Sequence, residues 1–291
     1  MIMKYTMMVL SLVLLAALCA PTQSTSASQR SRQENRGDRH SDHSDSHHSD
    51  QKDVFEGRDW PERDEIRQTY ELAPGARVEV ERINGTVDIE TYEGSGAEVH
   101  IIRSPRNRED LNYKKILIEA TGGGLAIRGE KENDRWGSDR RNVRHRVVLK
   151  LPRRIDLEVG GVNGRVNVGE VDGPVVVSGI NGRVEVGQAV GYTSLSGING
   201  AVGITVARLG DRGIDVSGIN GRVELRFTED LNADLDVTGI NGSVQADVPN
   251  VTVQGKMSRS NFRAKIGSGG TRINVSGING GVRLVRAGSA G

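Results

Sequence analysis

One five-residue string decides most of what this chain can fold into. Ser-Gly-Ile-Asn-Gly, flanked by β-branched residues, stands at Val177–Val186 as V-S-G-I-N-G-R-V-E-V and returns after Leu195, Val216 and Val275. A Thr-Gly-Ile-Asn-Gly copy follows Val237, and weaker copies begin at Val80 and Val159. The repeated asparagines are Asn84, Asn163, Asn181, Asn199, Asn220, Asn241 and Asn279, and the later spacings are 18, 18, 21, 21 and 38 residues. Asn261, in Met257–Ile266, is read as an eighth member that divides the last gap into 20 and 18. A fixed period of about 20 residues is the mark of a repeat architecture, with two short strands and two turns per unit.

Two all-β architectures compete for this pattern. Asn-Gly between alternating apolar residues is the strongest short hairpin signal, because both central positions of a type I′ turn take positive φ. That reading gives an array of antiparallel hairpins in which Val177 pairs with Val186. The other reading is a β-solenoid, a parallel β-helix-like stack in which each unit is one coil and Asn-Gly lies at a corner. Equivalent residues then stack at about 4.8 Å, and asparagine amides bond along the axis as they do in cross-β ladders. A turn needs only Asn-Gly, whereas a stack rewards identity at every position, so the solenoid is preferred. It predicts roughly ten coils over 65–287, on the order of 50 Å of stack. It also accounts for 38 glycines and only 3% aromatic residues, since a thin interior has little room for rings.

The chain ahead of the repeat is different. Lys4 and the apolar run Met7–Ala20 resemble the n- and h-regions of a secretory signal, and the run is too short to span a bilayer. Residues 1–28 are read as that signal, with cleavage after Ala27. A lipid anchor on Cys19, the one cysteine, is disfavoured because Leu18 stands where a lipobox needs a small residue. Loss of the signal removes the only thiol, and with it disulfides and cysteine chemistry. Residues 29–64 form a polar linker without enough apolar surface to fold. Its His40, His43, His47 and His48, interleaved with Asp42, Asp45 and Asp50, are candidate ligands for Zn, Cu or Ni, set against a plain spacer role. Residues 288–291 are a tail.

A formal net charge of +1 conceals segregation. Residues 28–100 hold 10 Lys+Arg against 18 Asp+Glu, residues 101–154 hold 15 against 7, and residues 155–291 hold 13 against 13. The basic middle contains Arg135, Arg140, Arg141, Arg144 and Arg146, a candidate anion-binding surface. The preferred role for the same charges is pairing with the acidic N-terminal third. Nucleic acid is excluded as a partner, because stacking rings are scarce and the chain carries an export signal.

Catalytic chemistry finds little footing. Ser178, Ser196, Ser217 and Ser276 occupy one repeated position, whereas a nucleophile is normally single, and His100 and His145 are the only histidines beyond the linker. The carboxylates Asp211, Asp215, Glu229, Asp230, Asp234 and Asp236 cluster in the 21-residue units and are read as solvated turn groups rather than a glycosidase pair. Arg165, Arg183, Arg222 and Arg263 follow their asparagines by two, and Glu185 and Glu224 follow theirs by four, which predicts outward charged rows.

The repeat units, the stretch RHRVVLKLPRRIDLEVGGVNGRVNV at Arg144–Val168 and the closing IGSGGTRINVSGINGGVRL at Ile266–Leu284 resemble the bacterial DUF4097 family, named for a conjectured role in adhesion. The G-I-N string is also similar to the head GIN domains of auto-transporter adhesins. The resemblance covers about 65–287 and implies an exported β-solenoid of the envelope, periplasmic, cell-surface or secreted. It brings no catalytic residue and no cofactor. The expectation is a non-enzymatic, adhesin-like protein that presents its surface to an envelope or extracellular macromolecule, with protein the preferred partner class and no membrane span in the mature chain. Its alternatives are an envelope scaffold or stress-response component binding another protein and, ranked low, a polysaccharide-acting β-helix enzyme.

Overall fold

The structure, a computed structural model, describes residues 62–288 apart from 113, 122, 131–142, 207, 229–230, 249–250 and 255–260. The described residues lie within one compact unit, Asp53–Gly291, and form strands apart from one 3₁₀ turn at Arg108–Asn112. The strands make a ten-stranded and an eleven-stranded sheet whose shared central section is parallel.

Each regular coil lays one strand in the eleven-stranded sheet, turns at Asn-Gly, and lays a second strand in the other sheet. The Asn181 coil, for example, is Val175–Ser178 followed by Val184–Ala189. Val177 pairs in parallel with Val159 and Leu195, and Asn181 with Asn163 and Asn199. This is solenoid stacking; the antiparallel pairing of Val177 with Val186 is not the one formed. The period-two pattern has a direct packing cause, because alternate side chains enter the interior. One inward row runs Val80, Val159, Val177, Leu195, Val216, Val275 and Val237, all essentially inaccessible. The corner isoleucines Ile83, Ile180, Ile198, Ile219 and Ile278 are buried likewise. The larger rings Phe227 and Phe262 fit toward the C-terminal end, where the regular stack gives way.

The coils do not stack in sequence order. Seven asparagine coils and an eighth coil without an asparagine corner (Gly124–Gly129, then Val143–Pro152) lie in the order eighth, 84, 163, 181, 199, 220, 279, 241. The last coil of the chain is wedged between two earlier ones. Thr271–Asn279 pairs in parallel with Ile214–Asn220 on one side and with Ala233–Asn241 on the other. Side-chain size explains which coil is terminal. At the inward position held by Ile204, Leu225 and Leu284, the Asn241 coil has Ala246, which is exposed. A coil that cannot fill the interior serves as an end coil, like the polar outer repeats of other solenoids.

Antiparallel strands close both ends. Gly96–Pro105 and then Asp64–Glu71 extend one sheet beyond Val143–Pro152, and Ile116–Thr121 covers Gly124–Gly129 in the other. At the far end Asn261–Ile266 and then Val251–Val253 extend the sheet beyond Ala233–Asn241. Asn261 is therefore not a corner asparagine, and the described residues form eight coils over roughly 35 Å rather than ten. The reason is local: Phe262 follows Asn261, whereas every corner needs glycine at that place.

Candidate functional site

The corner is the most regular surface of the molecule, and its two glycines do different work. The glycine before Ile-Asn sits in left-handed backbone, with φ of 60–63° at Gly161, Gly179, Gly197, Gly218, Gly239 and Gly277. A Cβ there would be 3.4–3.6 Å from the nearest atom, so conformation rather than space selects glycine. The weak first copy has Arg82 at this place, at φ 55°, the one non-glycine residue with positive φ among the described residues. The glycine after Asn is selected by contact. A Cβ on Gly164, Gly182, Gly200, Gly221, Gly280 or Gly242 would lie 1.8–2.0 Å from the glycine carbonyl oxygen of the adjacent coil.

Between these columns the asparagine amides form a directional ladder. Nδ2 of Asn163, Asn181, Asn199, Asn220, Asn279 and Asn241 donates to Oδ1 of the neighbouring asparagine in the stack at 3.0–3.2 Å. Asn84 ends the series by donating to the Val143 carbonyl at 3.1 Å. Seven of the eight predicted asparagines thus come together, while Asn261 instead accepts from the Gly239 amide at 3.4 Å. Parallel to the ladder runs a hydroxyl row, Ser178, Ser196, Ser217, Ser276 and Thr238, half-buried and in register. Thr238 takes the serine place of its copy of the repeat string. Asparagine ladder, glycine backbone and hydroxyl row make a flat polar strip that is uncharged except in the Asn84 coil, where Glu81 and Arg82 hold the equivalent places. One shared position in five coils is a scaffold arrangement and not that of a nucleophile.

The charged rows are less regular than predicted. Arg165, Arg183 and Arg222 hold equivalent places, but Arg263 lies on the antiparallel closing strand and pairs with Asp236 at 3.3 Å. Glu185 and Glu224 are bridged by a residue that spacing did not single out. Arg226 donates from Nε to Glu224 at 2.7 Å and from Nη1 to Glu185 at 3.0 Å, passing over side-chain-free Gly203. Burial lowers the guanidinium's proton affinity, and the two carboxylates more than restore it.

The basic middle largely pairs with the acidic N-terminal third, the role the sequence favours. Arg146 meets Asp88 at 3.4 Å, Arg128 meets Glu79 at 2.5 Å, Arg153 meets Glu93 at 3.3 Å, and Arg103 bonds Asp64. The Arg128 hydrogen bond holds the Glu79 carboxyl below its ordinary range. Of the proposed anion-binding arginines, Arg144 and Arg146 are placed on one strand, and Arg135, Arg140 and Arg141 lie outside the described residues. So do His40, His43, His47, His48 and Cys19, and among the described residues no group of three metal-ligating side chains occurs. An open cleft of about 700 Å³ beside the 3₁₀ turn is lined by Arg103, Arg108, Glu109, Leu111, Asn112 and Lys115, but Glu62 and Asp64 approach two of its cations. Next to it His145 is buried and its ring nitrogens lack a well-formed hydrogen bond. Burial, then the Arg103 charge, push its pKa down to about 4, which the Lys114 backbone only partly offsets.

The predicted carboxylate cluster disperses. Asp215 accepts from Tyr192 and from Asn274, both at 3.2 Å, Asp236 is held by Arg263, and Glu229 and Asp230 lie outside the described residues. Arg212 covers the Tyr192 ring at 4.2 Å, so the aromatic face nearest these groups is occupied.

No family model matches the chain, and no curated protein matches it. Eight solved chains resemble its structure. One is described as a putative cell adhesion protein from Clostridium sporogenes, 14% identical, with 77% of this chain and 100% of that chain covered at a TM-score of 0.41. Others are a putative adhesin from Parabacteroides merdae, at 12% identity, 76% and 96% coverage and a TM-score of 0.28, and one from Bacteroides fragilis, at 11%, 76% and 97% and 0.32.

Proposed function

We propose that this is an exported, non-enzymatic, adhesin-like protein of the DUF4097 type, which presents the corner strip to a macromolecule of the envelope or the exterior. Residues 1–28 direct export and 29–64 act as a spacer ahead of the stack. The observation that carries the proposal is the unbroken strip itself. It joins an asparagine ladder across seven coils to five aligned hydroxyls, and the six coils beyond that of Asn84 place no charge on it to be desolvated on contact. The ladder uses one amide proton per asparagine, which leaves each Nδ2 a second donor for a partner.

Affinity capture from the native envelope tests this. The wild-type chain should retain a partner that the Ser196→Lys, Ser217→Lys double variant loses, since two outward cations interrupt the strip without touching the interior. Equal retention by both would remove the strip from the interface. Protease treatment of intact cells then separates a surface adhesin, which is cleaved, from an internal envelope scaffold, which is protected.

A further inference from the structure

The C-terminal coil fills a slot prepared by residues that precede it. Its strands Thr271–Asn279 and Val282–Arg286 each pair in parallel on both sides. Its inward residues Ile273, Val275, Ile278, Val282 and Leu284 are at most 1% exposed. The two walls of the slot, the Asn220 and Asn241 coils, are consecutive in sequence and carry nearly the same corner string. In the fold they stand one coil apart, with Thr271–Asn279 between them.

The connection to this coil is short and glycine-rich. Ile266 and Thr271 are both in register with Ala233, one on each side of its strand, so four residues must cross the strand end. Those residues are Gly267-Ser268-Gly269-Gly270, with φ of 57°, 81° and 152° at the three glycines. The crossing is clasped by Asn232, whose Oδ1 accepts from the Ser268 amide at 2.8 Å and from its hydroxyl at 3.0 Å. A tight hinge leading to a complete terminal element is the arrangement that favours exchange between copies.

We propose that this slot is an intermolecular docking site for a second copy of the chain: Thr271–Arg286 of one molecule occupies the slot of another, and the reverse. The exchanged pair keeps every parallel pairing of the coil and changes only the hinge, which extends. A strand with any residue but glycine at the place of Gly280 would put a Cβ 1.9 Å from the Gly221 carbonyl oxygen, so the slot demands the glycine that the repeat corner supplies.

The test uses two full-length chains, both carrying Cys19→Ser. One carries Ser217→Cys and the other Ser276→Cys, outward positions that are in-register neighbours across the slot. The two are unfolded, mixed, refolded and oxidised. Exchange predicts a disulfide-linked dimer of the two variants, several-fold more abundant than when Ser196→Cys, one coil further away, replaces Ser217→Cys. Equal linkage with both partners, from chains that regain native circular dichroism, overturns the proposal. A second variant deletes Ser268 and Gly269, so that the hinge cannot cross its own strand. It should elute as a folded dimer in size-exclusion chromatography, and a folded monomer would contradict the exchange.

Discussion

Three alanine substitutions at one corner separate the physical roles that the repeat string combines. Gly200→Ala is the severe one. The new Cβ would lie 1.9 Å from the Gly182 carbonyl oxygen, against an ordinary contact of 3.4 Å or more, and φ of 153° is closed to an L-residue. The Asn181 and Asn199 coils must part locally. That weakens the Gly182 amide to Asn199 carbonyl bond at 3.0 Å, the Asn199 amide to Ile180 carbonyl bond at 2.8 Å, and the Asn199 to Asn181 side-chain bond at 3.2 Å. At about 1 kcal/mol for each bond lost, with backbone strain added, the loss is about 3 kcal/mol or more. Gly197→Ala keeps its space, with a nearest approach of 3.6 Å, and pays only for left-handed backbone, about 1 kcal/mol. Asn199→Ala removes two exposed ladder bonds that water replaces in part, again about 1 kcal/mol. Urea unfolding followed by circular dichroism gives the three values directly. A Gly200→Ala variant no less stable than Gly197→Ala would refute the stacked-corner account, because both glycines have positive φ and only Gly200 has an adjacent coil within 2 Å of an added Cβ.

Other expectations follow from single side chains. His145, at about 4 in the fold against an ordinary 6.5, leaves the unfolded chain binding the extra proton between those values. Its contribution to stability should therefore be constant above about pH 6.5 and fall by about 3 kcal/mol down to about pH 4; in urea titrations across pH, His145→Leu should remove that part of the slope. Thr193 is fully buried with an unbonded hydroxyl, in a row with Val175 and Ile214, so Thr193→Val should stabilise by about 1 kcal/mol in the same assay. Arg226→Ala should cost less than about 1 kcal/mol, because the pairs it breaks are partly solvated, and the loss should shrink in high salt.

The regular part of the fold was legible because stacking writes the same demand into every coil. The period-two valines, the corner isoleucines and the asparagine register all survive from sequence to structure. Register alone is not sufficient, however. Asn261 matches the spacing but lacks the following glycine, and a coil cannot close over Phe262 at that place. Coil order is hidden in the sequence because near-identical corners stack equally well on one another. The only sequence trace of the true order is graded: Val244-Gln-Ala-Asp fills the interior poorly beside Val282-Arg-Leu-Val, so it belongs at the end. Of the candidate surface, the asparagine row and the hydroxyl row, Thr238 included, were readable from the repeat. Arg226 carries no mark in the sequence, because its role depends on the absence of a side chain at Gly203, one coil away.

The central claim is that the chain stacks in parallel with its last coil inside the stack. Paired cysteines within one chain test it most directly, with Cys19→Ser in each case. Ser217→Cys with Ser276→Cys places the two thiols on adjacent strands, whereas Ser217→Cys with Thr238→Cys places them on either side of an intervening coil. Mild oxidation should link the first pair readily and leave the second pair reduced. Linkage of the second pair in preference to the first would mean that the coils stack in sequence order, and would contradict the account.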